Sequence, residues 1–181
     1  MSLKDDFRRL TAILFVAVIA TFALKLWIGS GALADPRFGL TPGKLPPSIH
    51  AAGWLNGEPP TTKELKGRVH VVIAWATWCG ICWNETKEQV QVYQEFRDQD
   101  VTFIGLTDEA GGDLPRVKQF VERTGIPWVN GYGAVETLRQ FGVAESRPGV
   151  WVIGADGKIS WNYGTPGELR DAIERAVKAA G

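Results

Sequence analysis

The sequence predicts an α/β domain, with a mixed central sheet and helices on both faces, preceded by an N-terminal transmembrane helix. Two short and nearly continuous apolar runs, residues 69–75 and 101–106, are typical of strands that are buried on both faces of a sheet. A stretch with helical spacing of apolar residues follows each run. An apolar run over residues 10–28 comes before them and is long enough to cross a bilayer core.

The composition sets the size of the protein and argues against one class of partner. The chain has 181 residues and a hydrophobic fraction of 45%, which fits one globular domain plus an additional segment. Its 20 basic and 20 acidic residues give a net charge of zero, and its longest basic run is Arg8-Arg9. A cationic surface that binds a phosphate backbone is therefore not predicted, and nucleic acid is not an expected partner.

The N-terminal segment has the charge distribution of a single membrane anchor. Lys25 is the only charge within residues 10–28, and it lies near the far end, where its ammonium group can reach the lipid headgroups. Basic residues in the segment 1–9 favour a cytoplasmic N-terminus, and they are Lys4, Arg8 and Arg9. The sequence therefore predicts a single-pass protein of the cell inner membrane with its main domain in the periplasm.

A secretory signal peptide is the alternative interpretation of this segment. Ala32-Leu33-Ala34 has the form of a cleavage site. However, the apolar run continues through Ile28, and its distance from Ala34 fits a cleavable signal peptide poorly. An anchor and a signal peptide would both export the domain. Residues 29–48 are rich in Gly, Ala and Pro without a helical or strand period, which predicts a linker. The folded domain is then expected over residues 49–181.

Each of the two apolar strands leads into a helix. The first helix is expected to begin at about Cys79, and its predicted inward stripe comprises Cys82, Thr86, Val90, Tyr93 and Phe96. The second is an additional helix with Asp113 as N-cap, Pro115 in its first turn and Gly125 at its end. Its predicted apolar stripe comprises Leu114, Val117, Phe120 and Val121.

A short helix and a hairpin follow. The helix is expected over about residues 134–141, after a short strand, and it should end at Gly142. Residues 149–153 and 158–163 are apolar and β-branched runs on either side of the Asp156-Gly157 dipeptide. Because Asp-Gly favours the tight turn that joins antiparallel strands, these two runs are expected to pair with each other.

The last helix is expected to begin at a capping box formed by Thr165 and Glu168. Its predicted buried face comprises Leu169, Ile173, Ala176 and Val177. The full order is strand, helix, strand, helix, short strand, helix, hairpin and helix. This order predicts a mixed sheet with helices packed on both of its faces.

Chemistry is expected at the two cysteines of the chain, Cys79 and Cys82. They follow a buried strand and open a helix. At a helix N-terminus, unsatisfied N–H groups and the positive end of the helix dipole favour a thiolate. Cys79 is therefore predicted to be the nucleophile. Cys82, one turn further along and less exposed, is predicted to resolve the mixed disulfide that Cys79 forms.

A structural disulfide and a metal site are the alternatives to redox chemistry at the cysteine pair. A structural disulfide over so short a loop removes little entropy from the unfolded chain and therefore stabilises little. A metal site would need His50 and His70 as further ligands, but His70 lies within an apolar strand and His50 lies in the entry segment. Thiol-disulfide exchange is therefore the favoured chemistry, and neither a metal nor another cofactor is expected.

The residues around the cysteines resemble a known family. The stretch WATWCGICWNE, residues 75–85, resembles the active-site block of the TlpA/ResA-like branch of membrane-anchored bacterial thioredoxins. The resemblance extends from about His50 to the C-terminus, and it includes the LKGR, FGV and GADGK motifs and the additional helix. It implies a thioredoxin-like fold with an inserted helix, and thiol-disulfide oxidoreductase activity.

The resemblance also implies roles for individual residues. Pro148 would be a cis-proline facing the disulfide, and Glu85 would exchange protons with the buried thiol. Substrate-binding positions would be Trp78, Gly80, Ile81 and Arg147. Arg147 would place a positive charge beside the substrate groove, and Gly149 replaces the hydroxyl residue that usually follows the proline. These two departures put the family's usual partners in doubt.

In function, the resemblance implies a reductant. It would receive electrons from a membrane thiol donor of the CcdA/DsbD kind and reduce disulfides of exported proteins, for example in cytochrome c maturation. The alternative is an accessory or structural subunit that docks on a membrane protein complex. The chain has eight tryptophans, more than a core of this size needs, and some of them are candidates for a docking surface: Trp83, Trp128, Trp151 and Trp161.

Overall fold

The computed structural model describes residues 36–143 and 146–181. Its six strands are β1 (Gly53–Leu55), β2 (Val69–Ala74), β3 (Val101–Leu106), β4 (Val129–Tyr132), β5 (Gly149–Ile153) and β6 (Ile159–Asn162). Its α-helices are α1 (Thr62–Leu65), α2 (Gly80–Phe96), α3 (Leu114–Thr124), α4 (Val135–Phe141) and α5 (Leu169–Ala180). The transmembrane helix predicted over residues 10–28 lies outside the described ranges. No helix within those ranges is both long and apolar enough to cross a bilayer.

The strands form one mixed sheet in the order β1-β4-β3-β2-β5-β6. Strands β2, β3 and β4 are parallel to their neighbours within that group, whereas β1, β5 and β6 pair antiparallel. Ala74 at the end of β2 lies opposite Leu106 of β3 and Gly149 of β5. The loops that follow β2 and β3 and the loop that precedes β5 therefore meet at one edge of the sheet. The predicted thioredoxin-like arrangement is confirmed.

Alternate residues of the central strands enter two separate cores, because successive strand side chains point to opposite faces. Val71 and Ile73 of β2 face the core beneath α2, α3 and α5, which also contains Phe96, Phe120 and Ile173. Val72 and Ala74 face the second core, which contains Leu138 and Phe141 of α4 together with Leu106 and Trp151. Helices thus cover both faces of the sheet, as the sequence predicts.

Helix α2 confirms the predicted position but not the whole predicted stripe. Cys82, Thr86 and Phe96 are buried, whereas Val90 and Tyr93 are only half-buried. Gln89 and Val92 are buried in their place. The buried stripe therefore passes one residue before the predicted one, and the buried side-chain amide of Gln89 is satisfied by donating to the hydroxyl of Tyr163.

The additional helix, α3, begins and ends as predicted. Gly125 ends it in the left-handed region at φ 67°, where a glycine has no steric penalty. Asp113 precedes the helix, but its side chain does not cap it and pairs instead with Arg116. Asp113 is therefore the N-cap residue, as predicted, but it does not make the side-chain hydrogen bond that a capping carboxylate usually supplies.

The capping box predicted at the start of the last helix is wrong. Helix α5 begins at Leu169, because Gly167 adopts φ 101° and interrupts any helix before it. The Thr165 hydroxyl donates to the side-chain oxygen of Asn162 at 2.9 Å and accepts from the backbone N–H of Asn162 at 3.4 Å, so it bonds to the preceding turn and not to the helix. The predicted buried face is formed by Leu169, Ile173 and Ala176, whereas Val177 is only partly buried.

The described part of the predicted linker packs on the domain. Leu40 N–H donates to the carbonyl of Phe141 at 2.8 Å, and Gly43 N–H donates to that of Ile159 at 2.8 Å. The indole N–H of Trp151 donates to the carbonyl of Leu40 at 3.1 Å. Residues from 38 onward therefore belong to the packed structure, whereas the sequence predicts that it begins at residue 49. The segment has no periodic apolar pattern that would have indicated these contacts.

Candidate active site

The two cysteines form a disulfide at the N-terminus of α2, with their Cα atoms 5.3 Å apart. Cys79 is the N-cap residue, and its sulfur accepts a hydrogen bond from the backbone N–H of Cys82 at 3.1 Å. Cys79 is 5% exposed and Cys82 is 2% exposed. The sequence predicts this placement of Cys79 at the helix N-terminus with Cys82 behind it, and the structure confirms it. The position favours negative charge on Cys79.

Exposed apolar side chains flank the disulfide in the sequence. Trp78 is 63% exposed and Ile81 is 58% exposed, and Gly80 between the cysteines is also exposed. Large apolar side chains at such exposure are typical of surfaces that contact a partner. Trp78, Gly80 and Ile81 therefore remain candidates for substrate binding.

The loop before β5 brings Pro148 to the same edge of the sheet as the cysteine loop. The Arg147–Pro148 peptide bond is cis, as predicted. Gly149, the next residue, lies opposite Ala74 of β2, and Ala74 is five residues before Cys79. This register places Pro148 next to the chain that leads from β2 to the disulfide.

Arg147 does not have the predicted role in the substrate groove. Its side chain is fully buried, and its guanidinium Nη2 lies 3.0 Å from Oδ1 of Asp108. The two groups are held as an ion pair, since their geometry is not that of a hydrogen bond. Arg147 also donates to the backbone carbonyls of Val143 and Ser146. A buried guanidinium needs such partners, and they keep its charge away from a bound substrate.

Glu85 lies one helical turn after Cys82 and is half-buried. The hydroxyl of Tyr163 donates to its carboxylate at 3.1 Å, and that hydroxyl accepts from the side chain of Gln89 at 3.2 Å. Burial raises the pKa of Glu85, the hydrogen bond from Tyr163 opposes this rise, and the nearby charge of Glu88 adds to it. Burial also raises the pKa of the Tyr163 phenol, so this hydroxyl stays protonated and donates.

A surface cavity of about 240 Å³ opens beside this group and gives Glu85 a route to solvent. Its lining residues are Glu85, Glu88, Gln89, Val92, Trp161, Tyr163, Gly167, Glu168 and Leu169. A carboxyl group with a raised pKa and access to water can exchange protons with solvent. The proton-handling role of Glu85 stays a prediction.

The sequence interpretation missed Glu109 and Thr77. Glu109 follows β3 closely, and its carboxylate accepts from the backbone N–H of Thr77 at 2.6 Å and from the Thr77 hydroxyl at 2.5 Å. Thr77 lies two residues before Cys79, and its carbonyl accepts from the indole of Trp83 at 3.1 Å. Glu109 could have been predicted from its position, because functional residues of α/β proteins cluster just after the carboxyl ends of parallel strands.

Aromatic packing supports the cysteine loop from below. The ring of Trp75 stacks on Phe120 of α3 at 4.4 Å, and Trp83 packs edge-on against the same ring at 4.5 Å. The Trp75 indole N–H also donates to the side chain of buried Asn130 at 3.1 Å. The additional helix thus fixes the indoles on either side of the disulfide.

The tryptophans proposed for a docking surface belong to the core instead. The buried members are Trp128, Trp151 and Trp161, at 4%, 0% and 3% exposure, and Trp83 is half-buried. Their rings fill space between the helices and the sheet, where a large aromatic side chain contributes most. Among the tryptophans that the structure describes, Trp78 is the one that is strongly exposed. Trp128, Trp151 and Trp161 are therefore excluded from a docking surface, whereas Trp78 stays a candidate for one.

A metal centre finds no support in the geometry of the described ranges. His70 lies within β2, 7% exposed, with its Nδ1 3.4 Å from the carbonyl oxygen of Arg68, and burial lowers its pKa. The backbone N–H of His50 donates to the Thr137 hydroxyl at the other core. No group of three or more potential metal ligands occurs in residues 36–143 and 146–181.

Comparisons with known proteins agree with this geometry. The family model described as Redoxin matches residues 42–176, which is well over half of the chain. Protein FixW of Rhizobium leguminosarum is 33% identical over 60 residues, which is 33% of this chain and 27% of that protein. The matched stretch therefore spans about a quarter of the length of this relative.

Several solved structures are similar in fold to most of this chain. A thiol:disulfide interchange protein of the thioredoxin family from Chlorobium tepidum is 26% identical with a TM-score of 0.61, covering 76% of this chain and 99% of that chain. A secreted disulfide oxidoreductase from Mycobacterium tuberculosis, described as homologous to DsbE of E. coli, is 23% identical with a TM-score of 0.55. That match covers 81% of this chain and 99% of the other. Because the Redoxin model matches residues 42–176, the chain belongs to the Redoxin family.

Proposed function

We propose that this Redoxin-family protein is a thiol-disulfide oxidoreductase that works on the extracytoplasmic side of a membrane, where it reduces disulfides of exported proteins. The observation that carries the proposal is the Cys79–Cys82 disulfide at the N-terminus of α2, between the exposed side chains of Trp78 and Ile81. The apolar run over residues 10–28, with basic residues before it, supports the location. A structural neighbour described as secreted supports it as well.

The reducing cycle would begin with the dithiol form. The Cys79 thiolate attacks one sulfur of the substrate disulfide, and the other substrate sulfur leaves as a thiolate. Cys82 then loses its proton and attacks the sulfur of Cys79, which releases the second substrate sulfur. The substrate gains two electrons and two protons, and the Cys79–Cys82 disulfide re-forms. A membrane thiol donor of the CcdA/DsbD kind would reduce it again.

Glu85 would take up the proton of Cys82 in the second step. The raised pKa of its carboxyl group brings it closer to neutral pH, where it can both accept and return a proton. The cavity connects the side chains of Glu85 and Tyr163 with solvent. Glu85 would pass the proton on to solvent through this cavity. The hydrogen bond from Tyr163 would hold the carboxylate in one place during this transfer.

The substrate would be an extended segment that carries an accessible disulfide. Trp78 and Ile81 offer apolar contact on the two sides of Cys79, and the fully buried Arg147 adds no exposed charge to this surface. Oxidised haem-binding cysteines of apocytochrome c are one such substrate, supported by the resemblance of residues 75–85 and by the neighbour described as homologous to DsbE.

Reduction of insulin disulfides by the dithiol protein tests the chemistry. The wild-type protein should reduce insulin with dithiothreitol as electron donor. Cys79→Ser should lower the rate by at least about a thousandfold, because a hydroxyl group is not a competent nucleophile here. Glu136→Ala, at an exposed site on α4, is the matched control and should retain the wild-type rate.

A cell-based assay tests the location and the direction of electron flow. Cells that lack the protein should accumulate oxidised cysteines in exported apocytochrome c, and a chain without residues 10–28 should fail to correct this. If a chain that lacks both cysteines corrects the defect, the protein acts as an accessory subunit and not as a reductant.

A further inference from the structure

The residues that follow β3 lie beside both loops of the active site. Ala74 lies opposite Leu106 on one side and opposite Gly149 on the other. The next residues of these three strands, toward the common edge, lead to Cys79, to Glu109 and to Pro148. The segment Thr107–Asp108–Glu109 is therefore next to the cysteine loop, and the Pro148 loop lies beyond it.

Glu109 holds the cysteine loop. Its two carboxylate oxygens accept separately from the backbone N–H and the hydroxyl of Thr77, at 2.6 Å and 2.5 Å. The hydroxyl of buried Thr107 also donates to Glu109, at 3.2 Å, and fixes the carboxylate. With the Trp83 indole on its carbonyl, Thr77 has its N–H, its hydroxyl and its carbonyl engaged. Such a set of bonds leaves the residue little freedom two positions before Cys79.

Asp108 holds the Pro148 loop. Its carboxylate lies 3.0 Å from the guanidinium of Arg147, the residue directly before Pro148, and the Arg147 side chain is fully buried. Because β2 lies between β3 and β5 in the sheet, this ion pair connects two strands that are not neighbours. A buried charge without a partner is costly, so the charge of Asp108 favours keeping the Arg147 guanidinium in this place.

The holding segment is itself fixed to the body of the domain. Thr107 N–H donates to the carbonyl of Gly131, and Ala134 N–H donates to the carbonyl of Thr107, both at 2.9 Å. Gly133 N–H donates to the carbonyl of Glu109 at 2.9 Å. Three backbone hydrogen bonds thus attach the segment to β4 and to the chain between β4 and α4.

We propose that Asp108 and Glu109 are positioning residues for disulfide exchange: Glu109 sets the place of Cys79 through Thr77, and Asp108 sets the place of Pro148 through Arg147. Neither residue needs to contact the substrate. The two side chains keep the nucleophile and the neighbouring loop at a fixed separation, which a small displacement would spoil. The inference rests on the exchange chemistry of the proposed function and not on its location.

Glu109 variants test the first half. Glu109→Ala in the reduced full-length protein should slow alkylation of Cys79 by iodoacetamide, and insulin reduction with it, by about tenfold. Glu109→Gln should recover most of both rates, because its amide can accept from the Thr77 N–H and donate to the Thr77 hydroxyl. Glu136→Ala, an exposed carboxylate on α4, is the control and should match the wild type.

Asp108 variants test the proposed positioning of Pro148, and the quantity measured is the KM for a disulfide-bonded substrate. Asp108→Asn should raise the KM for a disulfide-bonded peptide by about fivefold or more, while Cys79 alkylation stays within about twofold of the wild-type rate. If that variant does not fold, a chain with Asp108→Asn and Arg147→Gln together removes both charges and serves in its place. A merely structural role would lower Tm without separating KM from the alkylation rate.

Two results would overturn the inference. One is a Glu109→Ala protein that folds and alkylates at the wild-type rate. The other is a set of variants in which every loss of rate follows the fraction unfolded at the assay temperature. An inactive wild-type protein would instead count against the proposed function, so the two failures are distinguishable. Where Glu109→Ala does not fold, Thr77→Val removes one of the two bonds to Glu109 and should still slow alkylation severalfold.

Discussion

Cys79 and Cys82 differ in what surrounds their sulfur atoms. The Cys79 sulfur caps α2 and accepts from the backbone N–H of Cys82, whereas Cys82 is enclosed by the helix and the core. A thiolate on Cys79 would keep that hydrogen bond and gain from the helix dipole. Burial disfavours a charged sulfur at Cys82, so the proposed cycle assigns the uptake of its proton to Glu85.

The pH dependence of stability should reveal the environment of Glu85. Burial raises its folded-state pKa above the ordinary value of 4.5, so the folded protein binds this proton more tightly than the unfolded chain. Stability from this group is therefore fully present below pH 4.5 and is lost as the pH rises through the folded-state pKa. Glu85→Gln should flatten this part of the curve, measured by urea denaturation from acidic to neutral pH.

Tyr163→Phe provides the opposite change at the same site. It removes the hydrogen bond that lowers the pKa of Glu85, so the loss of stability should extend to higher pH than in the wild type. Glu122→Gln, at an exposed site on α3, is the control and should leave the curve unchanged. A Glu85→Gln curve with the same slope as the wild type would show that this carboxyl is not shifted.

At the scale of elements, the additional helix α3 acts as the support of the active site. Phe120 is fully buried and contacts both Trp75 and Trp83, and Trp83 donates to the carbonyl of Thr77. A displacement of α3 would therefore reach the cysteine loop through two indoles. We therefore expect changes in the core of the helix to affect disulfide exchange, although the helix places no residue at the disulfide.

Phe120→Ala should lower the unfolding free energy by about 3–5 kcal/mol, because it removes a fully buried ring and leaves a cavity between two indoles. Insulin reduction by the folded fraction should also slow. Urea denaturation followed by tryptophan fluorescence measures the first effect. Lys118→Ala on the exposed face of the same helix should change stability by less than about 0.5 kcal/mol. Equal stability of the two variants would contradict the supporting role of α3.

The elements show which patterns in a sequence are informative. The runs that became β2 and β3 are predictable because both faces of each strand are buried, which demands continuous apolar residues. Strand β1 has only three residues and is stabilised by pairing with β4. This contact cannot be predicted from the local sequence. Long-range pairing of this kind decides short edge strands.

Capping boxes illustrate the same limit. Thr61 and Glu64 form a capping box that the sequence interpretation missed, and Thr165 and Glu168 do not form the one it predicted. Both pairs have the same spacing. The difference lies in Gly167, whose positive φ interrupts the second motif, and in the engagement of the Thr165 hydroxyl with a neighbouring turn.

At the scale of the whole molecule, the segment before β1 is part of the fold. Residues 40–44 form hydrogen bonds with α4, β5 and β6. The backbone carbonyl of Leu40 accepts from the buried side chains of Trp151 and Asn162. These donors belong to residues that are themselves fully buried. The two cysteines and their neighbours were predictable because a local motif carries them. The contacts of Glu109 with Thr77 and of Leu40 with Trp151 and Asn162 were not, because they join groups that lie far apart in the sequence.

Two glycines in this segment offer a matched test. A side chain at Gly39 would collide with the carbonyl oxygen of Phe141, whereas a side chain at Gly43 would meet open space. Both have positive φ, so Gly43→Ala should cost about 1–2 kcal/mol from backbone strain alone. Gly39→Ala should cost clearly more, since it also displaces Leu40 from two buried donors. Equal losses in urea denaturation would show that the segment is not packed as described.

Trapping of the mixed disulfide tests the central claim, that Cys79 is the nucleophile and Cys82 resolves its product. Reduced Cys82→Ser protein should form a covalent complex with a disulfide-bearing substrate such as insulin, joined through Cys79 and released by dithiothreitol. Reduced Cys79→Ser protein should form little or none under the same conditions. If instead the complex formed mainly with Cys79→Ser, joined through Cys82, the assignment of the two sulfurs would be contradicted.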